Sequence, residues 1–240
     1  MTHYLRRIFS VFLGSLPVVV FAATPACEVR SGERLTPVIE LYTSEGCSSC
    51  PPADQWLSTL KGKNVVAQAF HVDYWDYIGW VDRFATPANT IRQRNIAAIN
   101  GLRTIYTPQV VRNGQDWRDL PRAAISELPA RATIVLLRRD HVDSFEASVT
   151  PAPGVGRWSA YWTVTEHGHN SRVRAGENAG STLQHDFVVR QYTPVGTYQG
   201  AQTLNFSAIA TLAGHPRQIN LVVADPQTGA TLQGVSLQCS

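Results

Sequence analysis

Up to about residue 130, short β-rich runs alternate with helical segments. Residues 38–43 (Val-Ile-Glu-Leu-Tyr-Thr) follow Pro37 and predict a strand. A polar turn, 44–50, leads to Pro51 and Pro52, and residues 53–60 continue in a helical pattern that stops at Gly62. Proline suits the first turn of a helix, where the backbone N–H has no partner anyway. Residues 65–72 predict a second strand, apolar enough for burial on both faces. An aromatic loop over 71–80 follows. Thr86 then caps a helical segment running to about Ile99, and Gly101 ends it. Residues 106–111 lead into a third strand, and Asn113-Gly114 reads as a hairpin turn. Residues 117–128 predict a last helix before Pro129.

Beyond Pro129 the helical period all but disappears. Strands are expected at 133–138, 146–149, 158–165, 187–192, 204–210 and 218–224. His167-Gly168, Asp225-Pro226 and Thr228-Gly229 mark turns. The pattern therefore predicts an α/β layer over about 36–130, followed by an antiparallel β-sandwich over 131–239.

Ahead of both, Arg6 and Arg7 precede an apolar stretch, 8–21, too short to span a bilayer and closed by small residues. Residues 1–22 read as a secretory signal peptide, with cleavage after Ala22, Ala23 or Ala26. Without Arg6 and Arg7, 19 of the 21 basic residues stand against 18 acidic ones. That leaves no basic surplus for a nucleic-acid backbone, so no nucleic-acid partner is expected. No later apolar stretch reaches the roughly 20 residues of a transmembrane segment. Export implies an oxidising compartment, periplasmic or extracellular, in which unpaired cysteines are rare. Cys27 and Cys239 lie near the two ends of the mature chain and are expected to form a structural disulfide. The alternative is a lipidated Cys27, for which Thr24-Pro25-Ala26 is a poor lead-in.

The other two cysteines carry the candidate chemistry. Gly46-Cys47-Ser48-Ser49-Cys50-Pro51 lies where a strand gives way to a helix. A cysteine at a helix N-terminus feels the helix dipole, which favours the thiolate. A two-residue spacer puts the second sulfur within disulfide reach. Cys47 is then the attacking thiol of an exchange reaction, and Cys50 resolves the mixed disulfide. Ser48 and Ser49 add hydroxyls but no charge. The alternative is a permanent Cys47–Cys50 disulfide with no redox role.

The strand–CxxC–helix arrangement resembles the thioredoxin superfamily. The longer strings 39–54, 71–80 and 106–109, with Gly176-Glu177-Asn178 and 185–190, resemble a family of secreted bacterial proteins catalogued as a domain of unknown function, DUF1223. The likeness covers most of 36–239. It implies a thioredoxin-like domain with a C-terminal β domain, and no settled reaction. By the same resemblance Thr107-Pro108 falls where the superfamily carries a cis-proline facing the CxxC. Pro108, with Thr107 beside it, would then shape the groove for an extended substrate.

His71, Asp73, Trp75 and Trp80 fit a binding rim beside the reactive pair, and His71 or Asp73 could move protons for the thiols. The alternative is a packed aromatic cover with hydrogen-bonded tips. Arg92 and Arg94 are expected on a solvated helix face, and His167 and His169 in a solvated turn. No metal site is assigned. A copper-carrying role for Cys47 and Cys50 would be the rival chemistry, although the mature chain lacks methionine. The leading expectation is an exported thiol–disulfide oxidoreductase that needs no dissociable cofactor. Its partners would be exported or membrane thiol–disulfide proteins. The alternatives are a non-catalytic binding module with a structural Cys47–Cys50 disulfide, and a copper metallochaperone.

Overall fold

The computed structural model describes Met1 and residues 27–120, 127–139 and 141–239. Apart from Met1, the leader expected over 1–22 lies outside the described residues. So does the middle of the helix expected over 117–128, residues 121–126. In chain order the first half holds β1 (Glu28–Arg30), β2 (Val38–Thr43), α1 (Pro51–Ser58), β3 (Val66–His71), α2 (Pro87–Ile99), β4 (Gln109–Arg112) and β5 (Gln115–Asp116). The second half holds β6 (Ala132–Arg138), β7 (Ser144–Pro151), β8 (Arg157–Glu166), β9 (His169–Arg172) and β10 (Thr182–His185). It continues with β11 (Val188–Gln199), β12 (Gln202–Ser207), β13 (Arg217–Ala224) and β14 (Thr231–Leu237).

Local chemistry accounts for the elements around the cysteine pair. Every residue of β2 is buried, because β3 and β4 flank it and a helix covers each face. Alternation sends Ile39 and Leu41 toward α1 and its Leu57, and Tyr42 toward Phe70 and Ile96 on the α2 side. Thr86 caps α2 by accepting from the Asn89 N–H at 3.2 Å, with Pro87 in the first helical position. Asn113 and Gly114 both have positive φ, 51° and 84°, as the tight turn between β4 and β5 requires. A Cβ on Gly114 would lie 2.0 Å from the Gly229 carbonyl oxygen, so only glycine fits.

The assembly of these elements corrects the fold class expected from the sequence. An α/β thioredoxin-like unit followed by a separate all-β sandwich is not what forms. The protein is mostly β, with two α-helices among the described residues. Strands from both halves join one eight-stranded sheet, in the order β14-β13-β8-β11-β3-β2-β4-β5. The junction is narrow. β11 runs parallel to β3 with Val188 opposite Ala69, and the Ala69 N–H donates to the Phe187 carbonyl at 2.8 Å. At that point β11 pairs with an edge of β3 that would otherwise be open. Periodicity identifies strands but carries no information about which edges meet, which is why the sequence reading separated them. A second sheet, β1-β6-β7-β12, packs on the β8-β13-β14 end of the large one. Leu136, Phe145 and Val149 there meet Trp158, Trp162 and Leu221. Cys27 and Cys239 form a disulfide beside that core, joining residues 212 apart in sequence.

Two side chains expected in solvent are inside. Arg92 reaches down from α2 and clamps the buried Glu40 of β2 with two nitrogens, at 2.8 and 2.6 Å. The Tyr42 and Tyr161 hydroxyls also donate to Glu40, at 2.7 and 2.9 Å. Burial pushes the Glu40 carboxyl up, but Arg92 and the two hydroxyls outweigh it and hold it below its usual value. His169 is buried as well, with Nε2 2.9 Å from Glu166 Oε2. The turn signal at Gly168 is real, but it belongs to the entry of a strand that pairs with β10. Arg94 is exposed, as a helix outer face demands.

Arg92→Met would leave Glu40 buried without its cation. We expect a loss of about 3–5 kcal/mol, as when one partner of a buried ion pair is removed. It would be read from the urea midpoint at unchanged slope. A loss within about 0.5 kcal/mol, typical of surface substitutions, would mean that the pair is not a structural link.

Candidate functional site

β2 ends at Thr43, residues 44–50 turn, and α1 begins at Pro51. Cys47 and Cys50 are joined in a disulfide at this junction. Their exposures are 1% and 0%, although Ser48 and Ser49 between them are exposed. Pro51 and Pro52 have no N–H, so the first helix amides to donate are those of Ala53 and Asp54. Both bond the Cys50 carbonyl, at 2.9 and 3.2 Å. The group that reaches a sulfur is a side chain: Ser49 Oγ lies 3.4 Å from Cys47 Sγ. A disulfide sulfur carries no hydrogen, so the hydroxyl donates.

Three segments close over this loop. A Cβ on Gly46 would lie 3.0 Å from Trp75 Cβ, so the absence of a side chain lets the aromatic loop pack down. Trp75 Nε1 donates to Thr107 Oγ1 at 2.8 Å, and Trp80 Nε1 donates to Glu45 Oε2 at 2.7 Å. From the second half, the Asn178 amide donates to the carbonyls of Glu45 and Cys47, at 2.9 and 3.0 Å. The Ser48 N–H donates to Glu177 Oε2 at 3.0 Å. The Thr107-Pro108 bond is cis. Gln109 pairs with Tyr42, so Pro108 falls beside the end of β2 from which the cysteine loop departs.

The residues proposed for a rim therefore divide. Trp75, Trp80 and Thr107 gather around the loop, but their polar tips bond one another or Glu45. Asp73 is tied to α2 instead, accepting from the Thr90 hydroxyl. His71, the last residue of β3, is fully buried and belongs to no surface rim. Cys27 and Cys239 lie against the sandwich core.

Beneath the cover lies a polar interior that the sequence reading missed. His71 Nδ1 is 2.7 Å from Asp82 Oδ2, and Asp82 also accepts from the Glu45 and Phe84 backbone amides. His185 Nε2 lies 3.3 Å from Glu45 Oε1. Asp54, one turn into α1 from Cys50, accepts from the Thr43 hydroxyl at 2.9 Å. Ligand-type atoms of Asp54, His71 and His185 lie within 4.8 Å of one another. These three could hold a cation. Burial lowers the His71 pKa, but the Asp82 carboxylate outweighs it and the imidazole stands above its usual value. Asp82 correspondingly stands below its own. Burial pushes Asp54 up, and neither the two imidazoles nor Thr43 offsets this. In the sequence His71 was a candidate for proton transfer, and Glu45, Asp54 and His185 lie in strings that carry the resemblance, but nothing local brings them together. Glu45, Asp82 and His185 arrive from other elements.

The family described as "Protein of unknown function (DUF1223)" matches residues 38–224. A crystal structure of protein AGR_C_4864 from Agrobacterium tumefaciens is 26% identical, with a TM-score of 0.67. The match covers 87% of this chain and 96% of that one. HBP35 of Porphyromonas gingivalis shares the fold at 12% identity, with a TM-score of 0.59 over 85% of this chain and 75% of that one. No curated relative matches the chain.

The His71–Asp82 pair makes stability depend on pH in two directions. His71 holds its proton more tightly folded than unfolded, so its contribution is complete below about 6.5 and is lost as pH rises through the raised value. Asp82 contributes fully above about 3.8, and this is lost as pH falls through the lowered value. Asp82→Asn is expected to flatten both limbs in denaturant unfolding across about pH 3 to 9. A variant curve parallel to that of the native protein would contradict this.

Proposed function

We propose that this chain, which belongs to the DUF1223 family, is an exported protein whose Cys47–Cys50 pair undergoes thiol–disulfide exchange behind a movable cover. The observation that carries the reading is where the short disulfide sits. By chain entropy, closing so small a ring stabilises by only about 2 kcal/mol, against roughly 5 for Cys27–Cys239. The short bond contributes little as a staple. It stands instead at a helix N-terminus, with a serine hydroxyl on one sulfur and a carboxyl one turn away. Two disulfides suit an oxidising compartment, and no helix among the described residues is long and apolar enough to cross a membrane.

In the reducing direction, the Cys47 thiolate attacks one sulfur of a substrate disulfide. A Cys47–substrate bond forms, and the other substrate sulfur leaves as thiolate. Asp54, raised by burial, takes the Cys50 proton, and the Cys50 thiolate attacks Cys47 Sγ. The second substrate sulfur is released, the substrate gains two electrons and the pair is oxidised. The reverse sequence oxidises a dithiol. Ser49 supports the Cys47 thiolate where the two prolines supply no amide. Pro108 and Thr107 border the groove, and the Gly176–Asn178 turn must lift for a substrate to reach sulfur.

Complete burial of both sulfurs favours a second reading, in which the pair is a permanent disulfide within a binding module. A redox titration by intact mass, with Cys47→Ser as control, separates the two. Exchange predicts joint titration of two thiols between roughly −120 and −270 mV, whereas a structural disulfide stays oxidised below about −300 mV. If the turn is the cover, Asn178→Ala should speed reduction of the pair by dithiothreitol several-fold. An unchanged rate would remove the turn from the mechanism.

A further inference from the structure

We propose that Asp54, His71 and His185 form a binding site for a divalent first-row transition cation, with zinc as the best-matched ion. The donor set is two imidazoles and one carboxylate, brought together from α1, β3 and β10 within 4.8 Å. Such nitrogen and oxygen donors suit zinc and its neighbours in the first row. The site contains no sulfur, so it differs from any copper site on the cysteines.

Unpaired atoms point to the ligand. His71 is fully buried. Its Nδ1 faces Asp82, which leaves Nε2 buried and without a hydrogen-bond partner among the described residues. His185 is 3% exposed. Its Nε2 lies 3.3 Å from Glu45 Oε1 without hydrogen-bond alignment, and its Nδ1 has no partner. Buried nitrogens normally find partners, and leaving one without a partner destabilises the fold. A cation satisfies both rings at once. On His71 the nitrogen turned away from the cluster bonds the Asp82 carboxylate, the arrangement that fixes a metal-binding histidine in tautomer and orientation.

Charge argues the same way. Glu45, Asp54 and Asp82 are three buried carboxylates. Their described partners are the two imidazoles, hydroxyls, the Trp80 indole and backbone amides, with no lysine or arginine bonded to them. A divalent ion there would offset the charge of these carboxylates. A cavity of about 210 Å³ that Asp54 and His185 help to line lies beside two of the three ligands. A bound cation would also hold α1 and its cysteines against β10.

The test uses tag-free, chelator-treated mature protein with both disulfides intact. Zinc is followed by calorimetry, and cobalt by its visible absorption. We expect one equivalent bound without reductant, and a rise in Tm. His185→Gln should lose binding by at least about 100-fold, and Asp82→Asn by roughly 10–100-fold as an outer partner. Circular dichroism of each variant shows whether it folds. If His185→Gln does not fold, Asp54→Asn takes its place. No stoichiometric binding by the oxidised protein overturns the site. So does binding that persists in the folded variants or that requires reduced cysteines. None of these outcomes depends on the exchange reaction, which the redox titration tests separately.

Discussion

The carboxylate of Glu40 is buried within the large sheet, and much of the architecture follows from keeping it satisfied. A charge removed from water is tolerated only when it is paired and hydrogen-bonded. Glu40 belongs to β2, and its partners come from β2 itself, from α2 and from β8. The Arg92 guanidinium lies over the Tyr161 ring, 3.9 Å from its centroid, and donates to the Tyr192 hydroxyl of β11. Gln68 of β3 bonds both Tyr161 and Thr163. Residues from both halves of the chain therefore complete one charged network. Separating the halves would expose its members to water one by one. That couples the narrow β3–β11 junction to the packing of α2.

A second polar region lies under the cysteine loop, and it has a different character. The Glu40 network is saturated, whereas the histidine and carboxylate group leaves ring nitrogens unmatched. A saturated buried network acts as structure, and an unsaturated one has capacity for a ligand. The cysteine pair and the histidine group share α1, because Cys50 immediately precedes the helix and Asp54 is on its first turn. In the proposed exchange Asp54 takes the Cys50 proton, so whatever it binds would bear on that step. A cation there would withdraw Asp54 from Cys50 and make thiol chemistry responsive to metal supply.

The sequence was informative wherever a few adjacent residues decide the outcome. β2 spans the same six residues that its pattern marked, Thr86 caps α2, and Asn113-Gly114 makes the turn. Capping and turn geometry depend on groups within three or four positions, so they are visible locally. The sequence was uninformative where partners are distant. Arg92 looked like a solvated side chain because nothing near it in sequence shows that Glu40, 52 residues away, lies below. Asn178 stood in a string that carries the resemblance, but nothing near it in sequence shows that it bonds a carbonyl 131 residues earlier.

By itself, then, the sequence determined the position of the strand–CxxC–helix unit, the residue types around it and the strand-rich character of the second half. Each follows from local propensity, periodicity or spacing. Only the tertiary structure decided that one sheet runs through both halves, that the sulfurs are covered, and that two histidines and three carboxylates share an interior. Those outcomes depend on which edges pair and which buried charges meet. The underlying forces act through space between residues that the linear order keeps apart.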